Sequence, residues 1–344
     1  MLLCRCRRQN APNATLDGAC RGHAGRGMGE SKGYIAITDP NWYRHLSGRP
    51  RLDEVNFWQP HGGHAFRALS PGAPFFFKLR GPQKSIAGFG FFQRWESMTA
   101  CYAWDCFGDA NGAPTFEAML DRLARLRKEA TPPTGGFQIG CIMIAAPVFF
   151  VPDEWVRPPA DWAKSGIQQG KTYDLSCGEG NRILRECMDR ATGGLHYWNI
   201  DADPRLVADN FARYGAAVEV RPRLGQGLFS LAVRDAYQGA CAVTGEHSLP
   251  ALEAAHILPY GQGGEHRVDN GLLLRSDLHR LYDRGYVTVT PDYVFRVSDR
   301  LRDEFHNGRS YYGLDRAKIT VPDRELWRPK REFLEWHEKR LFRG

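Results

Sequence analysis

Between residues 33 and 171 the apolar positions fall in short runs of strand length, punctuated by glycine and proline. Gly33-Tyr-Ile-Ala-Ile-Thr38 alternates like a strand, and Asp39-Pro-Asn-Trp-Tyr43 starts a short helix. Phe75-Phe-Phe-Lys-Leu79 and Ile86-Ala-Gly-Phe-Gly-Phe-Phe92 predict two further strands with a Gly-Pro turn between them. From Pro114 to Lys128 the period changes: Phe116, Met119, Leu120, Leu123 and Leu126 recur at helical spacing. Phe137 to Val151 returns to strand. Its apolar core, Ile139 to Val151, is interrupted by Pro147 and is shorter than the ~20 residues a membrane helix needs, so no membrane partner is expected.

Thr172 to Arg223 is less regular. Asn181 to Arg190 has helical character, but Gly193-Gly194 and Asp203-Pro204 break the pattern, and the segment is expected to be a connector over 172–223. A second domain, 224–344, begins with an amphipathic helix from Gly225 to Tyr237. Apparent strands follow at Leu252 to Leu258 and Tyr286 to Thr290, and a helix starts at Asp277. A last helix carries Leu334, Trp336 and Leu341. The fold class predicted is α+β, in two domains.

Charge refines this division. The formal net charge of +7 is carried by residues 1–33 (+4) and 221–344 (+3), while 34–220 is neutral. A basic excess on the second domain suits a polyanionic partner. Residues 1–32 are rich in Gly, Arg and Asn without hydrophobic periodicity. They are expected to be disordered, or an extension ahead of a true start at Met28. Nine cysteines show no disulfide framework, Cys4 and Cys6 lack a second pair to complete a zinc site, and no signal-peptide pattern is present. A cytoplasmic location is expected.

The sharpest chemistry lies in the second domain. Glu253-Ala254-Ala255-His256-Ile257 is followed by Asn270-Gly271-Leu272-Leu273-Leu274 and by His279-Arg280-Leu281-Tyr282-Asp283. Hydrolysis of a phosphodiester needs a base for water and a cation at the phosphate. An imidazole projecting from a strand, as at His256, suits the first role at neutral pH. His279 and Asp283, at i and i+4 on one helix face, can hold a divalent ion. Imidazole and carboxylate accept Mg²⁺ or Mn²⁺ alike.

This order, His256, Asn270, His279, with Cys241-Ala-Val-Thr-Gly245 before it, resembles the HNH nucleases, whose ββα-metal fold cuts DNA with one divalent ion. The resemblance implies that His256 is the general base, that Asn270 orients it or braces the loop, and that His279 binds the ion with Asp283 beside it. Two features depart from the family pattern. Ala255 stands where many members carry a metal ligand just before the first His, so either Asp283 or Glu253 compensates or the ion is held by fewer protein groups. The two CxxC pairs of a structural zinc are missing, which leaves Cys241 a core residue. His247, His266 and His306 read as surface residues without a role.

In the first domain, Val55-Asn-Phe-Trp-Gln-Pro60, the two phenylalanine-rich strands, Ala103-Trp-Asp-Cys-Phe-Gly108 and Asn111-Gly112 resemble the EVE branch of the PUA-like β-barrels. Relatives of that fold, the SRA and YTH modules among them, take a flipped modified base into an aromatic pocket. The resemblance implies a base-binding domain over 33–171 with flanking helices. Trp42, Trp58 and Trp104 are then stacking surfaces, and Asp105 an acceptor for a cytosine amino group. A base reader joined to an HNH nuclease implies an endonuclease acting on double-stranded DNA that carries 5-methyl- or 5-hydroxymethylcytosine, with a homodimer as one way to cut both strands. Two alternatives stay open: an HNH nuclease indifferent to modification, and a catalytically inactive nucleic-acid-binding module.

Overall fold

The computed structural model describes residues 32–50, 52–128, 134–163, 166–193 and 225–344. The disorder expected over 1–32, the pair Cys4 and Cys6, residues 194–223 of the connector and residue 224 lie outside the described residues, Lys32 apart.

Six strands build the first unit: β1 (Lys32–Thr38), β2 (Glu54–Gln59), β3 (Pro74–Leu79), β4 (Ile86–Thr99), β5 (Gln138–Phe149) and β6 (Gly170–Asp174). They form one sheet in the order β2-β5-β4-β3-β1-β6, with β1 parallel to β3 and every other neighbour antiparallel. The unbroken run Phe75-Phe-Phe77 is explained by burial on both faces of β3. Phe75 and Phe77 pack with Trp42 and Phe57 on one side, and Phe76 packs with Ile35 and Phe89 on the other.

Helix α1 (Pro40–Ser47) is capped by Asp39, whose carboxylate accepts from the amides of Asn41 and Trp42. Helices α2 (Ala100–Phe107) and α3 (Phe116–Arg127) are capped in the same way by Thr99 and Thr115. Helix α4 (Gly178–Gly193) buries Ile183, Leu184 and Cys187 in the cluster that holds Ile35 and Phe76. The segment expected as connector therefore supplies both α4 and most of β6 to the first unit, and residue 171 lies inside a strand that pairs with β1.

No closed barrel forms. Among the described residues β2 and β6 are sheet edges with no ladder between them. Side chains serve β2 instead: the Trp42 indole donates to the Asn56 carbonyl at 3.2 Å, and the Trp58 indole to the Asn111 carbonyl at 2.8 Å. Gln59 Nε2, at the end of β2, donates to Gln169 Oε1, just ahead of β6, at 3.1 Å.

Helix α5 (Gln226–Ala236) joins the units. Leu228 and Leu231 pack into the α2–α3 core with Ala103 and Phe107, while Phe229, Val233 and Ala236 enter the core of the second unit. Two apolar faces on one helix mean a helix buried between two bodies. Gly227 permits the close seat on α2, since a Cβ there would lie 2.5 Å from the Phe107 ring.

In the second unit β7 (Leu252–His256) and β8 (Gly271–Arg275) form a hairpin that runs into α6 (Ser276–Asp283), the ββα order the sequence predicted. Strands β9 (Val287–Val289) and β10 (Phe295–Val297) and helices α7 (Arg300–Phe305), α8 (Arg309–Tyr312) and α9 (Arg331–Arg340) complete it. Leu278 and Tyr282 anchor α6 from one face, and the Tyr282 ring lies on His337 at 3.7 Å. That seating turns His279 and Asp283 toward the hairpin side and solvent. No helix among the described residues is long and apolar enough to cross a membrane.

Candidate active site

Alternation along β7 decides where its side chains go. Glu253 faces α6, where its Oε2 accepts from Nδ1 of His279 at 2.6 Å. His256, of opposite parity, faces α5, where its ring stacks on Phe229 at 4.1 Å and an interplanar angle of 14°. Ala255 is fully buried and offers no donor. Burial, followed by the nearby His266 and His279, holds His256 down at about 4. The imidazole is therefore neutral at physiological pH.

Asn270 is fully buried and makes three bonds across the β7–β8 loop. Its Oδ1 accepts from the Leu258 amide at 2.9 Å, and its Nδ2 donates to the carbonyls of Leu258 (3.0 Å) and Glu265 (3.1 Å). These bonds tie Asn270 to the loop between β7 and β8. The bracing sets His266 beside His256, with Nδ1 of the former 2.9 Å from Nε2 of the latter. His266 is thus half-buried at the centre of the site, not a bystander on the surface. Its partners Phe229 and Tyr260 come from a different helix and from the loop itself, so no local pattern announces it.

On α6, Nε2 of His279 lies 3.4 Å from Asp283 Oδ2. Two donors flanking one small divalent ion at right angles stand about 3.0 Å apart, so this edge is close to the spacing of a ligand pair. Glu253, bonded to Nδ1, leaves the Nε2 lone pair free for such an ion, the usual arrangement of a carboxylate behind a ligating histidine. Among the described residues no three His, Cys, Asp or Glu side chains form a ready cluster. Water and phosphate oxygens must complete any shell.

The four side chains expected to bind a base separate into two places. Trp42 and Trp58 line a cavity of about 100 Å³ at the β2 edge of the sheet, walled also by Tyr34, Phe57 and Phe66 and edged by Asp39, Gln59 and Gln169. Trp104 and Asp105 are not there. Trp104, on α2, packs on Phe116 of α3. Asp105 instead faces a separate cleft of about 210 Å³ between α2, α5, β7 and α6, with Tyr102, Glu253 and His279 on its walls. Burial and the Glu253 charge raise the Asp105 carboxyl above its ordinary range. The polar groups at the aromatic cavity, Asp39 and Gln169, had no signal beyond a helix cap and an irregular loop.

The family model described as HNH endonuclease matches residues 241–290, the segment that contains β7, β8, α6 and β9. No curated protein matches the chain. Among solved structures, two mutant forms of the ZmASCH protein of Zymomonas mobilis are similar at 12% identity and a TM-score of 0.28, covering 44% and 46% of this chain and 96% and 97% of theirs. The modification-dependent TagI restriction endonuclease is similar at 13% identity and a TM-score of 0.28, over 85% of this chain and 77% of that one.

Proposed function

We propose that this protein is a metal-dependent DNA endonuclease that acts on DNA containing modified cytosine, in defence against foreign DNA. The observation that carries the nuclease part is the coincidence of the HNH match with a ββα unit that carries His256 at the end of β7 and the His279–Asp283 pair on α6, near enough for His279 to bear on the charge of His256. In this reading His256 takes a proton from water, which attacks the phosphorus. A divalent ion, Mg²⁺ or Mn²⁺, would supply the positive charge for the scissile phosphate. His279 Nε2 and Asp283 would hold it, and Glu253 would fix the His279 tautomer. One such site cuts one strand, so a double-strand break takes two events or two copies.

The reading domain rests on the aromatic cavity. A base inspected for a small substituent must leave the stack, and it then needs faces to stack on and partners along its edge. Trp42, Trp58 and Phe57 supply faces. Asp39 lies at the rim with one carboxylate oxygen engaged by α1, and its carboxylate can accept from the amino group of cytosine. The curled sheet then does the work of a PUA-like barrel without closing.

Binding of fluorescent duplexes that differ by one 5-methyl- or 5-hydroxymethylcytosine tests the reader. The wild-type protein should prefer a modified duplex. Asp39→Asn, which keeps a good helix cap, should lose about tenfold of that preference while binding plain DNA as before. Equal wild-type affinity for all duplexes would remove the reader and leave a nuclease indifferent to modification.

A further inference from the structure

The contact between His256 and His266 has no place in the scheme above, although it occupies the ring nitrogen a base could use. Asn270 pins the carbonyl of Glu265, so the following residue is held in position. The His266 ring lies on Tyr260 at 4.6 Å and 14°, while Phe229 supports the far side of His256. Each imidazole therefore has an aromatic backing, and the two meet edge to edge at 2.9 Å. Tyr260 is 57% exposed, so the outer end of this stack reaches solvent.

Two neutral imidazoles at this distance share one proton: one nitrogen donates and the other accepts. Within the nuclease reading, on which the inference rests, the useful assignment keeps a lone pair on His256 for water. We infer that His266 is the positioning partner of His256 and the exit for its proton. The Nδ1 of His266 accepts the Nε2–H of His256, which fixes His256 in the tautomer whose Nδ1 is basic. When Nδ1 takes a proton from water, the Nε2 proton crosses to His266, and His266 releases its own Nε2 proton to solvent. The water oxygen forms its bond to phosphorus, the bond from phosphorus to the leaving oxygen breaks, and that oxygen takes a proton from solvent. One water is consumed, and each ring is left with its proton on Nδ1. The pair resets when His256 loses that proton to solvent, the shared proton returns to its Nε2 and His266 Nε2 takes a proton from solvent, so no net proton remains.

Electrostatics suit this direction of travel. Burial and the flanking imidazoles disfavour a charge on His256. Burial also lowers His266, but the carboxylate of Asp53, from the first unit, favours its charged form.

The test uses the full chain with His266→Ala and His266→Asn. Asparagine can place an oxygen near the position of Nδ1 but cannot carry a proton onward. Nitrogen-15 histidine NMR should show His256 as a single Nε2–H tautomer in wild type and in His266→Asn, and as a mixture in His266→Ala. On whichever plasmid the wild type cuts, His266→Ala should lose about 100-fold in kcat with KM little changed, free imidazole should restore about tenfold, and His266→Asn should stay slow. A His266→Ala rate within about threefold of wild type, a faster rate, or full activity in His266→Asn would each overturn the relay. An Nδ1–H tautomer for His256 in wild type would overturn it independently of any cutting. If the wild type cuts nothing, the nuclease reading fails, whereas cutting with an unaffected His266→Ala defeats the relay alone.

Discussion

Replacing Glu54 by glutamine isolates the cost of the buried carboxyl that joins the two units. Glu54 is 6% exposed and accepts from the amides of Gly227 and Leu228 at the start of α5. Burial outweighs these bonds and pushes its pKa from 4.5 to about 7. Between these values the folded protein holds a proton that the unfolded chain has lost. The stability contribution is therefore full below about 4.5 and declines as pH rises through about 7. At about 1.4 kcal/mol per pH unit, the interval amounts to about 3 kcal/mol. Glutamine keeps the shape and one acceptor, and its amide group adds a cost that does not vary with pH. The stability gap between Glu54→Gln and wild type should thus move by about 3 kcal/mol in favour of the variant from pH 4.5 to pH 8. Urea unfolding followed by tryptophan fluorescence at constant ionic strength measures it. A gap constant to within about 0.5 kcal/mol across that range would refute the reasoning.

Two further outcomes follow from the same geometry. Asn270→Ala strands the polar groups of Leu258 and Glu265, and should cost about 3 kcal/mol by denaturant unfolding, with cutting lost as the loop is released. A stability change under about 1 kcal/mol would mean the loop does not depend on it. Because His256 is held down at about 4, its protonation should not limit cleavage near neutrality, and kcat/KM should be flat between about pH 6 and 8. An acid limb centred near the ordinary histidine value of about 6.5 would contradict the buried, imidazole-flanked environment.

The legible parts of this fold were those where pattern and environment are local. Phe75-Phe-Phe77, the period of Phe116 to Leu123, and the His256–Asn270–His279 order each report their own element, and α3 and the ββα hairpin appear where they were expected. Strand β6 was not legible, because only Tyr173 of its five residues is buried. As an edge strand it is fixed by its pairing with β1, not by its own composition. The amphipathic reading of α5 was half of the truth: which apolar residues face which unit depends on two cores far apart in sequence. The same limit hid His266, whose environment is made by Phe229 and by the loop that Asn270 braces. Tryptophan counting found Trp42 and Trp58 at the cavity but carried Trp104 and Asp105 along with them, since composition does not say where along the sheet helix α2 packs.

The most direct measurement is cleavage of one plasmid prepared in unmodified, 5-methylcytosine and 5-hydroxymethylcytosine forms, with Mg²⁺ or Mn²⁺, by wild type and His256→Ala. Cutting confined to modified DNA, dependent on the ion and abolished in His256→Ala, is the result predicted here. Modified plasmid left intact, or cut equally well by His256→Ala, would contradict it.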